Sequence, residues 1–411
     1  MRCKGWFASL AVLLWFCLPV IVAGAQSGVR VLEDACHARF AERLTFTLVV
    51  EADQAITNVT LYYRRANKPV TTRIQPEFTP GSRVQVRYEK DLERGEIPPG
   101  AVIEHYWRLD LADGSQLDTD LSQSVYEDER FAWQIAQAGK LQLHYYGSPG
   151  ASAINGLLEH GQAALARLEA QAAVTLELPV HIYLYANSND MAAALAPRSE
   201  GYDDQVVTLG VAVDDNVLLL LGDRPDAGQT LAHELSHIVV GLATRNPYAP
   251  LPRWLDEGLA MHAEGEGLPA SYRHALQEAI NSDRLISVRS LSSYSGDPSQ
   301  VNLYYAEVYS LVDYMLRTYG RESMRELLAV FKEGSDADDA LHKVYGLTVD
   351  ELDARWRESL GLPARTTSLP VSTSAPGPSP RRQTGLPCAA AMLPMLIGAA
   401  VVALRPRPVD H

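Results

Sequence analysis

The chain has 411 residues, of which 47% are hydrophobic and 21% are charged, with 28 Gly and 24 Pro. These proportions are ordinary for globular proteins and exclude wholesale disorder and collagen-like repetition, and the length allows two or three domains. The net charge of −14, with no run of Lys or Arg longer than two, argues against nucleic acid as a partner.

The first segment of the chain has the pattern of a secretory signal peptide. Arg2 and Lys4 precede an apolar run from Trp6 to Val22, and the small residues Ala23-Gly24-Ala25 follow it. A charged start, an apolar stretch and a small-residue cleavage point are typical of exported proteins. We predict a cleaved signal peptide over residues 1–25, with an uncleaved anchor as the alternative.

Residues 26–134 contain short runs in which apolar and polar residues alternate, such as Leu44–Val50, Val59–Tyr63 and Ile103–Leu109, separated by turn sequences. Strands with a period of two at this spacing predict an all-β sandwich, immunoglobulin-like or fibronectin III-like. Three of the four Cys lie in the terminal apolar segments, which leaves Cys36 alone in the soluble part. No intrachain disulfide is therefore expected there, which favours a bacterial or archaeal source over a eukaryotic one.

Residues 135–362 have a different periodicity. Apolar residues recur at helical spacing from Ile154 to Leu168, and Val180–Tyr185, Val206–Leu209 and Val217–Leu221 are predicted strands. Only helices are predicted after them, over residues 227–242, 252–264, 270–281, 301–319, 321–333 and 348–360. The order predicts an α+β domain in which a small mixed sheet is followed by a helical lobe.

The first of those helices carries the motif His233-Glu234-Leu235-Ser236-His237. Residues four positions apart share one face of a helix, so the two imidazoles can bind one metal ion. Glu234 is then placed to touch a water molecule at the metal rather than the metal itself. Tetrahedral catalytic zinc takes three protein ligands and one open position, so a third ligand is required. A helix that carries two histidines by chance is the alternative.

A second motif lies downstream of the first. Nineteen residues separate His237 from Glu257, which lies within the segment Trp254–Ala260, of sequence WLDEGLA. The HExxH pattern followed at this distance by W-L-x-E-G-x-A resembles the gluzincin metallopeptidases. Residues from about 135 to 360 resemble the peptidase MA-like domain of bacterial surface proteins.

This resemblance implies the chemistry of the site. By it, His233, His237 and Glu257 bind Zn²⁺, and Glu234 is the general base for hydrolysis of a peptide or protein substrate. Zinc lowers the pKa of water towards 7, and a carboxylate beside it can take the proton and pass it to the leaving amine.

The resemblance also implies an oxyanion donor. In the aminopeptidase branch of the gluzincins, two Tyr nine residues apart lie on a helix of similar pattern, and Tyr305 with Tyr314 reproduces that offset. Tyr305 is the implied donor to the oxyanion. The alternative, in which Tyr305, Tyr309 and Val312 form a packed stripe on the helix, stays open.

Two carboxylates near the motifs are candidates for orienting the metal-binding imidazoles, a role that carboxylates often have in such sites. They are Asp256 and Glu264, with solvated surface charges as the alternative. The aminopeptidase branch also carries a G-x-M-E-N signature, which is missing from the corresponding residues 210–216. Aminopeptidase specificity is therefore not implied, and an extended peptide is expected to pair with Val217–Leu221 as an edge strand.

The end of the chain has three parts. Residues 363–385 are rich in Pro, Ser, Thr and Gly and predict a stalk, and residues 386–404 contain no charge and predict a transmembrane helix with residues 405–411 as a short cytoplasmic tail. A GPI-type signal is the alternative for this apolar stretch. The sequence as a whole predicts a membrane-anchored extracellular zinc metallopeptidase. The competing hypothesis is a non-catalytic adhesion ectodomain with a structural zinc domain.

Overall fold

The computed structural model describes residues 28–66, 68–197, 206–265, 267–293, 297–365 and 400–404. The predicted signal peptide and cytoplasmic tail lie outside these ranges, as do residues 366–385 of the stalk and 386–399 of the predicted transmembrane helix. Within the described ranges, none of the helices has the length and apolar character needed to cross a bilayer.

Seven strands near the N-terminus form one antiparallel sheet. They are β1 (Val29–Arg39), β2 (Arg43–Arg65), β3 (Thr72–Ile74), β4 (Gly81–Asp91), β5 (Ala101–Leu111), β6 (Gln116–Asp118) and β7 (Ser122–Tyr126). The first half of β2 pairs with β1 and β4, and its second half pairs with β3 and β5. The sheet folds over itself, because the Phe46 ring lies 4.9 Å from Tyr63 and 5.3 Å from His105.

The strands of the predicted all-β sandwich form a single hydrogen-bonded sheet in the structure, and one strand is longer than predicted. The sequence predicts separate strands at Leu44–Val50 and Val59–Tyr63, but the structure joins them in the 23-residue β2. No Gly or Pro interrupts residues 51–58, so the strand continues through them and belongs to both halves of the sheet.

Six strands form a second, mixed sheet. They are β8 (Gln134–Ala138), β9 (Leu141–Tyr145), β10 (Val180–Tyr185), β11 (Val206–Asp214), β12 (Val217–Leu221) and β13 (Ala400–Leu404), in the order β13-β11-β12-β10-β9-β8. Strand β10 is parallel to β9 and to β12, and the other pairs are antiparallel.

Two expectations about this sheet need correction. The predicted edge strand β12 is internal, because β11 folds back and pairs along one side of it while β10 pairs along the other. Residues 400–404, expected to end a transmembrane helix, form a strand that pairs with the outer side of β11. Their sequence, Ala-Val-Val-Ala-Leu, contains the β-branched residues that strands favour.

Eight helices occur among the residues that the structure describes. They are α1 (Ala151–Ala172), α2 (Ser188–Ala192), α3 (Ala227–Thr244), α4 (Arg253–Ala263), α5 (Ala270–Asn281), α6 (Val301–Lys332), α7 (Ala337–Tyr345) and α8 (Val349–Ser359). Helix α6 is broken at Gly320, whose φ is 82°, which agrees with the two helices predicted around this residue. Helix α7 was not predicted.

The second sheet is covered on both faces. Leu218 and Leu220 of β12 pack with residues of α1 and α3, whereas Val217, Leu219 and Leu221 pack with the first sheet. A strand that is buried on both faces has a continuous apolar sequence, which is why β12 could be predicted. The helical lobe has a separate core. Helix α3 lies where the second sheet meets this lobe.

Candidate metal centre

Helix α3 presents its motif to the interior of the protein. Leu231 and Leu235 pack against the second sheet, and the side chains of His233 and Glu234 are fully buried. His237 is 8% exposed. The two imidazoles lie one turn apart with ring centroids separated by 5.0 Å. Both rings therefore occupy the junction between the sheet and the helical lobe.

Helix α4 brings Glu257 to the same place. A Cβ at the next residue, Gly258, would collide with the Val312 side chain and lie 2.6 Å from the Val308 carbonyl oxygen of α6. Only Gly permits this close approach of α4 to α6, which explains the Gly in the second motif. Glu257 is fully buried, and its Oε2 lies 3.4 Å from Nε2 of His233 and 3.9 Å from Nε2 of His237.

The donor atoms fit a zinc ion. Nε2 of His233, Nε2 of His237 and an oxygen of Glu257 lie within 4.8 Å of one another. The two Nε2 atoms are buried and have no hydrogen-bond partner among the residues described. Tetrahedral zinc with bonds of about 2.0–2.1 Å would separate its ligand atoms by about 3.4 Å. Two imidazoles and one carboxylate are a donor set that catalytic zinc uses.

The other ring nitrogens face carboxylates. Nδ1 of His233 lies 2.8 Å from Oε1 of Glu264, and Nδ1 of His237 lies 3.1 Å from Oδ1 of Asp256. A proton on Nδ1 of His233 would be directed at Glu264, which turns the Nε2 lone pair of this ring towards the common centre, while Nδ1 of His237 lies within ion-pair distance of Asp256. The structure thus places both predicted carboxylates next to the imidazoles rather than in solvent.

Charges at this centre are strongly coupled. Burial lowers the pKa of His233, but its contacts with Glu257 and Glu264 outweigh burial and raise this pKa to about 10. Burial raises the pKa of Glu257, but its contacts with the two imidazoles and Arg253 outweigh burial and lower this pKa to about 2. The surroundings therefore favour positive charge at the point where the ligands converge.

We expect Glu264→Gln and Asp256→Asn each to raise the zinc dissociation constant by about 10–100-fold, because each replaces the charged acceptor beside a ligand imidazole with a neutral amide. Competition with a chromophoric chelator measures this change. Glu278→Gln is the control, since Glu278 is an exposed residue of α5 that pairs with His274 of the same helix. Unchanged zinc affinity in both variants would contradict an orienting role.

Glu234 lies against β11. A Cβ at Gly210 of this strand would lie 2.9 Å from Cγ and 3.1 Å from Oε1 of Glu234. Gly210 therefore allows the backbone of β11 to pass directly beside the carboxylate. The sequence had not indicated this role, although an isolated Gly within a strand pattern often marks a close backbone approach.

Tyr305 also lies at the centre. It is 1% exposed, and its ring centroid is 6.4 Å from that of His233. Tyr272 of α5, which the sequence had not indicated, stacks on Tyr305 with a centroid distance of 6.2 Å. Tyr309 stacks on His262, and Tyr314 contacts Tyr319. Of the aromatic residues proposed along α6, Tyr305 is the one next to a candidate ligand.

Comparisons with known proteins give one family match and several similar solved structures. Residues 160–361 match the family model described as Peptidase MA superfamily. Yeast LTA4 hydrolase in complex with bestatin is a similar solved structure, with 13% identity, a TM-score of 0.38, and coverage of 83% of this chain and 66% of that chain. Native yeast LTA4 hydrolase has 13% identity, a TM-score of 0.38, and coverage of 87% and 69%. The chain thus spans about two thirds of the yeast enzyme.

A smaller similarity involves a carbohydrate-binding module of family 56, a β-1,3-glucan binding domain. It has 18% identity, a TM-score of 0.15, and coverage of 22% of this chain and 95% of that chain. No curated protein matches the chain.

Proposed function

We propose that this chain, whose residues 160–361 belong to the Peptidase MA superfamily, is a zinc metallopeptidase that hydrolyses peptide bonds. One observation carries the proposal. His233, His237 and Glu257 direct three ligand atoms at one buried point, and Glu234 lies on the same helix as the two histidines. Zinc, when bound there, would act as a Lewis acid that lowers the pKa of water and polarises a peptide carbonyl.

Glu234 is the proposed general base. Its carboxylate would take a proton from the attacking water and pass it to the leaving amine as the peptide bond breaks. The position of β11 supports this role, because Gly210 lets the backbone of β11 lie directly beside the Glu234 carboxylate. A substrate that follows this strand would therefore pass the base.

Tyr305 is the proposed donor of a hydrogen bond to the oxyanion that forms at the attacked carbonyl. Its burial beside His233 supports this role. Tyr272 stacks on the ring and would limit its movement. A donor that is fixed before the reaction needs no reorganisation as negative charge develops, which is why such packing favours catalysis.

The outer side of β11 is the proposed binding site for an extended peptide. This edge accepts an antiparallel strand, because β13 pairs with it and places Val401 opposite Gly210, and the peptide would take the place that residues 400–404 hold there. Backbone pairing of this kind needs no particular side chains in the substrate. We therefore propose that the substrate pairs with β11, and not with β12 as the sequence predicted.

No residue of the 210–216 segment is offered as a holder of the substrate's amino terminus. Asp214 pairs with Lys68 at 2.5 Å, and Asp215 pairs with both Nη atoms of Arg245 at 2.7 Å. These acids hold the turn between β11 and β12 in place. Aminopeptidase specificity is therefore not proposed for this site.

The proposed location is outside the cell, on a bacterial membrane, with the apolar segment 386–404 as anchor when residues 400–404 are released from β11. This part of the proposal depends on the sequence, through the signal-like residues 1–25 and the stalk composition of residues 363–385. Protease accessibility of the metal-binding domain in intact cells would test it, and protection from added protease would contradict it.

A metal and hydrolysis assay on the purified protein tests the proposed activity. We expect about one zinc per chain and cleavage in a fluorogenic peptide library, with cleavage lost on chelation and restored by zinc. The cleavage profile would define the substrate. Zinc binding without any cleavage would favour the competing hypothesis of a non-catalytic ectodomain, in which the N-terminal β domain binds the partner.

A further inference from the structure

We infer that Arg253 is a positioning residue for the metal centre, holding one oxygen of Glu257 so that the other alone faces the ion. The inference rests on the proposed zinc site. Arg253 lies four residues before Glu257 on α4, and its Nη2 lies 3.3 Å from Oε1 of Glu257. Oε2 of the same carboxylate faces the two histidines. The two oxygens of Glu257 thus have different neighbours.

Burial makes this contact important. Glu257 is fully buried, whereas the Arg253 side chain is 25% exposed. A buried carboxylate is costly unless each oxygen is satisfied by a hydrogen bond, a counter-charge or a metal. The guanidinium provides both charge and hydrogen-bond donors for Oε1. Without it, Oε1 would be free to turn towards the metal or to draw in water.

Arg253 is itself held by a buried neighbour. Tyr304 is 3% exposed, and its hydroxyl interacts with Arg253 while donating to the Leu291 carbonyl oxygen at 3.3 Å. A hydroxyl can accept one hydrogen bond while donating another. The chain from Leu291 through Tyr304 and Arg253 therefore connects the helical lobe to Glu257.

The position of Arg253 in α4 separately indicates that its contact with Glu257 has a role. It is the first residue of the helix, directly after the N-cap Pro252. Positive charge is unfavourable at a helix N-terminus, where the helix dipole favours acids. A contact with Glu257 one turn later offsets this disadvantage. Lys would supply the charge but not the planar set of donors, so we expect the two residues to differ here.

The test compares Arg253→Met, Arg253→Lys and the control Arg245→Met in the full chain. Arg245 pairs with Asp215 at the end of α3 and lies outside the proposed metal centre. We expect the zinc dissociation constant, measured by chelator competition, to rise by about 10–100-fold in Arg253→Met and by less in Arg253→Lys. The control should stay within about twofold of the unchanged protein.

A second readout separates positioning from general stability. Cobalt(II) in place of zinc reports the coordination number, since four-coordinate cobalt absorbs more strongly than five-coordinate cobalt. We expect cobalt(II) bound to Arg253→Met to absorb less strongly, because the second oxygen of Glu257 becomes available to bind the metal as a fifth ligand. Cobalt(II) bound to Arg253→Lys should keep more of the original absorption. Because Arg253→Lys keeps the charge, it provides the comparison if Arg253→Met does not fold.

The outcomes distinguish this inference from the proposed function. Unchanged zinc affinity and cobalt spectra in the Arg253 variants, with chelator-sensitive hydrolysis intact, would overturn the role of Arg253 alone. A natural-sequence protein that binds no zinc would overturn the proposed metal centre and the role of Arg253 together. Equal losses in the Arg253 variants and in Arg245→Met would also overturn the inference, since the effect would then not be local.

Discussion

Glu234→Gln is expected to lower kcat for peptide hydrolysis by about 10²–10⁴-fold, the contribution typical of a general acid–base group, while the protein retains its zinc. The amide has nearly the shape of the carboxylate but cannot take a proton. Its neighbours, including Gly210 at the β11 backbone, should therefore be undisturbed. Metal analysis and steady-state kinetics on the same preparation measure both quantities.

Ser236→Ala is the matched control for this variant. Ser236 lies on the same helix between the two histidines, is fully buried, and its hydroxyl has no hydrogen-bond partner among the described residues. The control should keep both zinc and activity. Full hydrolysis by Glu234→Gln would show that this carboxylate is not the base.

His237→Ala is expected to abolish both zinc retention and hydrolysis. Its imidazole supplies one of three protein ligands, and even groups that only orient a ligand change affinity by about 10–100-fold, so losing the ligand should exceed that range. The loss of metal distinguishes this variant from Glu234→Gln. Inductively coupled plasma analysis after dialysis against a defined zinc buffer measures it.

His262→Gln is the control for the metal ligand. His262 stacks on Tyr309 and lies 3.3 Å from Asp313, outside the cluster that could hold a metal. It should retain about one zinc per chain, as we expect of the natural sequence. Equal zinc loss from both variants would indicate that general destabilisation, rather than removal of a ligand, is being measured.

Much of the candidate site could be predicted because its residues are close in sequence. His233, Glu234 and His237 lie on one helical turn, and helical periodicity fixes which side chains share a face. Glu257 follows within a short second motif. The strands β10 and β12 and the helix α5 have the predicted bounds, since buried strands and amphipathic helices have clear apolar patterns.

Contacts between distant parts of the chain could not be predicted in this way. The role of Gly210 depends on how β11 approaches α3, and the role of Tyr272 depends on how α5 packs on α6. The internal position of β12 depends on its pairing with β11, which its own apolar run does not reveal. The shared strand β2 was missed because two apolar patches look like two strands when the intervening polar residues also remain extended.

Titration of the metal-free protein with zinc, with hydrolysis of a fluorogenic peptide followed at each step, tests the central claim most directly. The proposed centre has one set of three ligands, so activity should rise linearly and stop rising at about one equivalent of zinc per chain. Full activity of the metal-free protein, or no activity after one equivalent of zinc has bound, would contradict the assignment of this protein as a zinc metallopeptidase.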